Sequence, residues 1–290
     1  MKIKLFNKLY LNVGAMKAGT TWLYRQLQQH PDIIFSPEKE LHYLSYRDGN
    51  ERILNQDYKS KRFENALLRF KGDKTARDYQ QLMQWYESYL DTLMDDNWYR
   101  QRFSTQLASS QYCADFSNLT CLITQTTWQA ILAMTNEVKV SYVLRNPYER
   151  MWSHFKFHYQ MQQRSMGNID ELTEANFIAF DKASRLLLHS SYSQSIITMQ
   201  NYLPCESIKL LNYDDIQLRP NVLLSSIEDF LGIAHHDYLP EKIKRKINAT
   251  ESLPIPERFY KAFSNAVTEE LDALGSLGFE VPKSWFYPPL

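Results

Sequence analysis

The stretch that most constrains the fold is LYLNVGAMKAGTTW, Leu9 to Trp22. An apolar run from Leu9 to Val13 ends at Gly14 and reads as a buried strand. Gly19 then opens a segment with helical spacing of Trp22, Leu23 and Leu27, which Pro31 stops. Strand, glycine loop and helix in that order make a cradle of backbone N–H groups for an anion. The nucleotide-binding version is Gly, four residues, Gly, Lys, then Ser or Thr. Here Thr20 stands where that lysine belongs, and the loop's lysine is Lys17, near the apex. A lysine there points at a ligand shorter than a triphosphate, near the bridging oxygen of a two-unit anhydride. The alternative is an ordinary turn with a solvated Lys17. The strand and helix context, with Thr20 and Thr21 as hydroxyl donors, favours the cradle.

Further strands are read at Gln111–Ser117, at the β-branched run Val138–Leu144 and at Ser207–Tyr213. Helices are expected over Leu119–Met134, from Pro147 onward, over Thr173–Tyr202, up to Leu231 with Gly232 as its stop, and over Pro256–Leu274. Residues 51–102 read as helical, charged and aromatic, and residues 32–50 as irregular. Strands separated by helices predict a mainly parallel sheet. No repeat, low-complexity segment or linker interrupts the chain, so a single domain over residues 1–290 is expected.

With 44% hydrophobic and 23% charged residues the composition is globular, and a formal net charge of zero argues against a general nucleic-acid binder. Cys113, Cys121 and Cys205 are odd in number and lack a Cys-x-x-Cys. They are read as buried free thiols in a reducing compartment, without a disulfide framework or zinc site. No apolar stretch approaches the roughly 20 residues of a membrane span, and the N-terminus reads as a buried strand and not a signal peptide. The expectation is a cytoplasmic protein.

A second constellation is RNPYERMWS, Arg145 to Ser153. Arg145 ends a strand, where α/β folds place ligands, and Ser153 follows about two helical turns on. A guanidinium fork and a hydroxyl suit a phosphate monoester. The competing reading pairs Arg145 with Glu149 on the surface. His154 and His158 stand i, i+4 on the same helix, a spacing open to metal, but no third ligand lies nearby in sequence, so a structural or substrate-facing role is expected. The aromatics of the helical regions, Trp85, Tyr86, Tyr89, Trp98, Tyr99, Phe155, Phe157 and Tyr159, are read chiefly as core.

Together these segments resemble a known family. GAMKAGTTWLYRQLQQHP resembles the 5′-phosphosulfate loop of the sulfotransferases that use 3′-phosphoadenosine 5′-phosphosulfate (PAPS). VLRNPYERMWSHF resembles their 3′-phosphate motif. SPEKELHYLS is similar to the Lys-Glu-x-His-aromatic segment of the carbohydrate-type branch, and ADFSNLT to its acidic segment. LLNYDDI, IEDFLGI and the basic KRKINATES follow in family order, so the likeness runs from about Leu9 to Gly278. It implies a P-loop NTPase-like three-layer α/β domain that moves a sulfuryl group from PAPS to a hydroxyl or amine of a small molecule or glycan, with a carbohydrate foremost. Lys17 would assist the leaving phosphate. Ala15, Lys17, Ala18, Gly19, Thr20, Thr21 and Trp22 would surround the 5′-phosphate, with Trp22 the first candidate for adenine stacking. Arg145 and Ser153 would hold the 3′-phosphate, and Lys244, Arg245 and Lys246 would cover the cofactor. Glu40 matches the family's base; His42 either tunes it or is the base itself. No metal is required by that chemistry. Phe116 stands where relatives carry a lysine, and Asn118 where they carry a proline. The rivals are a kinase using ATP and Mg²⁺, and a non-catalytic nucleotide-binding module. Thr20 in place of lysine counts against the first, and the presence of Lys17 and Glu40 against the second.

Overall fold

A computed structural model describes residues 4–104, 107–161, 168–244 and 253–287. Strand β1 (Phe6–Asn12) is buried from Leu9 onward, with Leu9, Tyr10 and Leu11 at most 1% exposed. A strand buried on both faces is what a parallel sheet flanked by helices requires. The loop Val13–Gly19 leads into α1 (Thr20–Leu27). The segment read as irregular instead contains β2 (Ile33–Phe35) and α2 (Tyr43–Arg47). Three residues are too few to show a strand period, and α2 starts at a left-handed His42 without a capping side chain, so neither left a sequence signal.

The aromatic region resolves into α3 (Gln56–Arg69), α4 (Arg77–Tyr89) and α5 (Asp96–Arg100). Next come β3 (Tyr112–Phe116), a short 3₁₀ turn at Thr120–Leu122, α6 (Gln125–Met134) and β4 (Thr135–Leu144). Helix α6 starts six residues later than expected, with Asp48 accepting from the Thr124 N–H and hydroxyl at its N-terminus. Then follow α7 (Pro147–Met161), α8 (Glu174–Ser184), α9 (Tyr192–Gln200), β5 (Ile208–Asn212), α10 (Asp215–Leu218), α11 (Pro220–Leu231), α12 (Pro240–Ile243) and α13 (Glu257–Ser276). The expected long helix over 173–202 is two helices, broken where Arg185 turns left-handed at φ 58°. Gly232 ends α11 at φ 64°, as its position implied.

The strands form one sheet in the order β2-β3-β1-β4-β5, with β1 and β2 parallel to β3. It is a mainly parallel sheet flanked by helices, the expected α/β class. Contacts group the chain into two compact units, residues 1–13 with 27–140, and residues 14–26 with 141–290. The first packs Tyr43 against Tyr99, stacked at 4.7 Å, and buries Leu9, Tyr112 and Phe116. The second is centred on Trp152, Phe155, Phe177 and Phe259, with ring separations of 5.0 to 6.4 Å. Cys113 and Cys121 are buried; Cys205 is exposed, against expectation, because it sits in a surface turn before β5. No helix among the described residues is long and apolar enough to cross a membrane.

Candidate active site

In the second unit the loop is tied to the end of β4. The Ala15 N–H donates to the Val143 carbonyl at 3.0 Å, and the Val143 N–H to the Gly14 carbonyl at 2.8 Å. The Tyr213 N–H donates to the Leu144 carbonyl at 2.8 Å, so Arg145 and Tyr213 leave neighbouring strand ends together. The Arg145 guanidinium lies 4.3 Å from the Tyr213 ring centre, donates to the Lys17 carbonyl at 3.0 Å, and pairs with Glu149 at 3.0 Å. Both readings of Arg145 thus have a footing: it meets the loop, and it meets Glu149. Ser153 is half-buried two turns into α7.

Lys17 sits at the loop apex with φ 67°, its ammonium 4.6 Å above the Phe157 ring. Burial lowers its pKa, and so do Arg145, Lys156 and Arg150, every one a cation. Like charges gathered around a half-buried ammonium define a place for an anion. Lys156 is 8% exposed on α7 and carried no motif; its sole sequence signal was a lysine in an aromatic helix, three residues past Ser153. Arg150 has a packing task, donating to the Ser190 hydroxyl and the Leu186 carbonyl. His154 and His158 face each other through Nε2 at 3.1 Å, and burial pushes His154 down to about 3. Among the described residues no group of three His, Cys, Asp or Glu side chains is placed to hold a metal.

Gly19 has φ 76°, and a Cβ there would lie 2.5 Å from Ile216 Cδ1 and 3.0 Å from Tyr213 Cε2. Gly19→Ala is therefore expected to cost roughly 1–3 kcal/mol, seen as a lower thermal midpoint; an unchanged midpoint would contradict this packing. Thr20 and Thr21 open α1. Trp22 is 6% exposed, and its indole N–H donates to the Ile243 carbonyl at 3.0 Å, which commits much of the ring to packing. Lys244 is exposed just after α12; Arg245 and Lys246 lie outside the described residues.

In the first unit Glu40 and His42 have φ 62° and 57°. Left-handed non-glycine residues cost roughly 1–3 kcal/mol each and persist where their surroundings over-determine them. Glu40 Oε1 accepts from Lys39 Nζ at 2.8 Å and from Asn118 Nδ2 at 3.0 Å. Its Oε2 lies 3.7 Å from His42 Nε2. Burial works to raise the Glu40 pKa, but the charges of Lys39, His42 and Arg62 outweigh it and hold the carboxyl below its usual range. Burial pushes His42 down to about 4. The two side chains do meet, though through a turn and not across an extended face. The His42 N–H donates to Ser117 Oγ at 3.0 Å, and Ser117 donates to Asp115 at 2.6 Å. Asp115 also accepts from Tyr99, and burial raises it to about 6. Asn118 and Ser117, the positions where ADFSNLT departs from or keeps the family pattern, are thus the ones that fix Glu40 and His42.

A family model described as "Sulfotransferase family" matches residues 12–237. The chain belongs to the sulfotransferase family. Among solved structures this sulfotransferase is similar to one from Alicyclobacillus acidocaldarius, with TM-score 0.67 and 20% identity, covering 96% of this chain and 98% of that one. It is also similar to the sulfotransferase domain of the Synechococcus PCC 7002 olefin synthase, with TM-score 0.56 and 14% identity, covering 97% of this chain and 98% of that one. At these identities the likeness is one of fold. A 53-residue stretch is 40% identical to the membrane-associated sulfotransferase kil1 of Dictyostelium discoideum, covering 18% of this chain and 11% of that protein.

Proposed function

We propose that this sulfotransferase uses PAPS as its donor and transfers to a hydroxyl or amine of a small molecule or glycan, with a carbohydrate hydroxyl as the first acceptor to try. The observation that carries the reading is Lys17, held in a phosphate-type loop where the charges of Arg145, Lys156 and Arg150 all lower its pKa. The residues present fit the donor. The N–H groups of Met16, Lys17 and Gly19 and the start of α1 suit the 5′-phosphate, those of Ala15 and Ala18 being spent on the Val143 and Ala15 carbonyls, and Arg145 with Ser153 suits the 3′-phosphate. Lys156 adds buried positive charge near Lys17, which supports an anionic ligand of more than one charge. When bound, PAPS would supply the sulfuryl group and leave as 3′-phosphoadenosine 5′-phosphate. Lys17 Nζ would carry a proton and positive charge to the oxygen on which negative charge grows, and its lowered pKa makes that proton easier to give. Glu40 would take the acceptor's proton through Oε2, since Oε1 already accepts from two donors. The open Glu40 Oε2, 3.7 Å from His42 Nε2, supports Glu40 as the base with His42 orienting it. The free thiols of Cys113 and Cys205 fit a reducing cytoplasmic setting.

The test is calorimetric titration with 3′-phosphoadenosine 5′-phosphate, compared with ATP plus Mg²⁺. The bisphosphate should bind selectively, and Arg145→Ala should weaken it by about 10–100-fold. The exposed Glu149 side chain is no obstacle, because an i, i+4 surface pair is worth only a few tenths of a kcal/mol. A preference for ATP would sink the donor assignment.

A further inference from the structure

We propose that Arg62 is a positioning residue for Glu40: its guanidinium, locked to Glu38, ties down the Lys39 carbonyl and so holds the left-handed turn that aims the Glu40 carboxylate. This rests on the reading of Glu40 as base. Arg62 lies on α3, outside every motif in the sequence. Its Nη1 donates to Glu38 Oε2 at 2.6 Å and to the Lys39 carbonyl at 2.6 Å. The other oxygen of Glu38 accepts from the Tyr86 hydroxyl on α4. The guanidinium also lies 4.9 Å from the Tyr58 ring centre, and the Tyr58 ring faces His42 at 6.4 Å.

Helix α3 therefore grips the backbone immediately before Glu40, and α4 holds the Glu38 carboxylate that locks the grip. After it, Leu41 is 1% exposed and the His42 N–H is held by Ser117. Glu40 and His42 take their positive φ between these two fixed points. Freed at one end, the turn relaxes toward ordinary φ, and the carboxylate swings away from Lys39 and Asn118. An ion pair that served packing alone would close on its own partner. This one spends a second bond on the main chain next to Glu40, and a buried pair is in any case weak support for stability. Both bonds come from Nη1, whose two N–H groups reach a carboxylate and a carbonyl together.

The test compares wild type with Arg62→Met/Glu38→Gln, which removes the clamp without stranding a buried charge, and with Arg62→Lys and Glu40→Gln. Transfer of ³⁵S from labelled PAPS is measured to the best acceptor found in a panel of mono- and oligosaccharides and phenols. Calorimetry with 3′-phosphoadenosine 5′-phosphate and the thermal midpoint serve as controls. The double variant should lose about 10²-fold in kcat, with bisphosphate affinity and midpoint close to wild type, and Arg62→Lys should recover only part of the rate. Independently of any acceptor, an NMR titration of the Glu40 carboxyl in the free protein should show its pKa rising in the double variant, which loses the Arg62 charge and the Lys39 contact, and rising in part in Arg62→Lys, which keeps that charge. Wild-type kcat, or an unmoved Glu40 titration, overturns the role of Arg62. If Glu40→Gln is inactive in the same experiment, the base assignment survives that result. If Glu40→Gln transfers normally, both fall. A kcat loss matched by a collapsed midpoint and lost bisphosphate affinity reduces Arg62 to a packing residue and overturns the proposal.

Discussion

Lys17→Ala should lower kcat for sulfuryl transfer by about 10²–10³-fold while leaving affinity for 3′-phosphoadenosine 5′-phosphate nearly intact. In the proposed reading the nucleotide is held by loop backbone, by hydroxyls at the start of α1 and by Arg145, and none of these needs the lysine side chain. What the ammonium adds is charge where charge develops, in a setting dry enough to lower its pKa. Interactions that strengthen only in the transition state act on kcat and not on binding. The pH dependence carries a sign. The protonated form is required, and its pKa is depressed, so the rate should fall as pH rises through a value below the 10.5 of an ordinary lysine. Arg145, Lys156 and Arg150 contribute to that displacement, so Lys156→Met should move this limb upward. If Lys17→Ala transfers at the wild-type rate, the leaving-group role is wrong. If it only loses affinity, Lys17 is a binding residue.

Glu40→Gln should cost about 10²–10⁴-fold in kcat, and His42→Ala much less. Glutamine keeps the shape and can still accept from Lys39, but it cannot take a proton. The Glu40 carboxyl is held below 4.5, and a carboxylate acts as a base only in its ionised form. Activity limited by Glu40 is therefore full above that value and is lost as pH falls below the usual carboxylate range. The modest basicity this implies suits a loose transition state, in which the acceptor need not be deprotonated early. A Glu40→Gln enzyme with wild-type kcat would remove Glu40 from the chemistry. A larger loss in His42→Ala than in Glu40→Gln would exchange their roles.

How far the sequence could be read depended on the distance between interacting residues. The phosphate-type loop was legible because Leu9–Leu27 is one continuous strand, turn and helix, and its glycines and threonines announce themselves locally. Arg145 was legible for the same reason, as the residue where the β-branched run of β4 stops. Lys156 was not, because one lysine in a helix has no meaning until its face is known. Nor was the long helix over 173–202 distinguishable from two shorter ones, since the break at Arg185 carries neither Gly nor Pro.

The sequence by itself determined the alternation of strands and helices and the glycine loop between β1 and α1. These follow from backbone sterics and periodicity over a few neighbouring residues. Tertiary structure alone decided that Arg145, Lys156 and Arg150 lie close enough to lower the Lys17 pKa, that Glu40 Oε1 is already bonded while Oε2 faces His42, and that Arg62 reaches back to the Lys39 carbonyl. Those features arise from side chains far apart in the chain, brought within bonding distance by packing, where burial sets which charges persist and which way a carboxylate points.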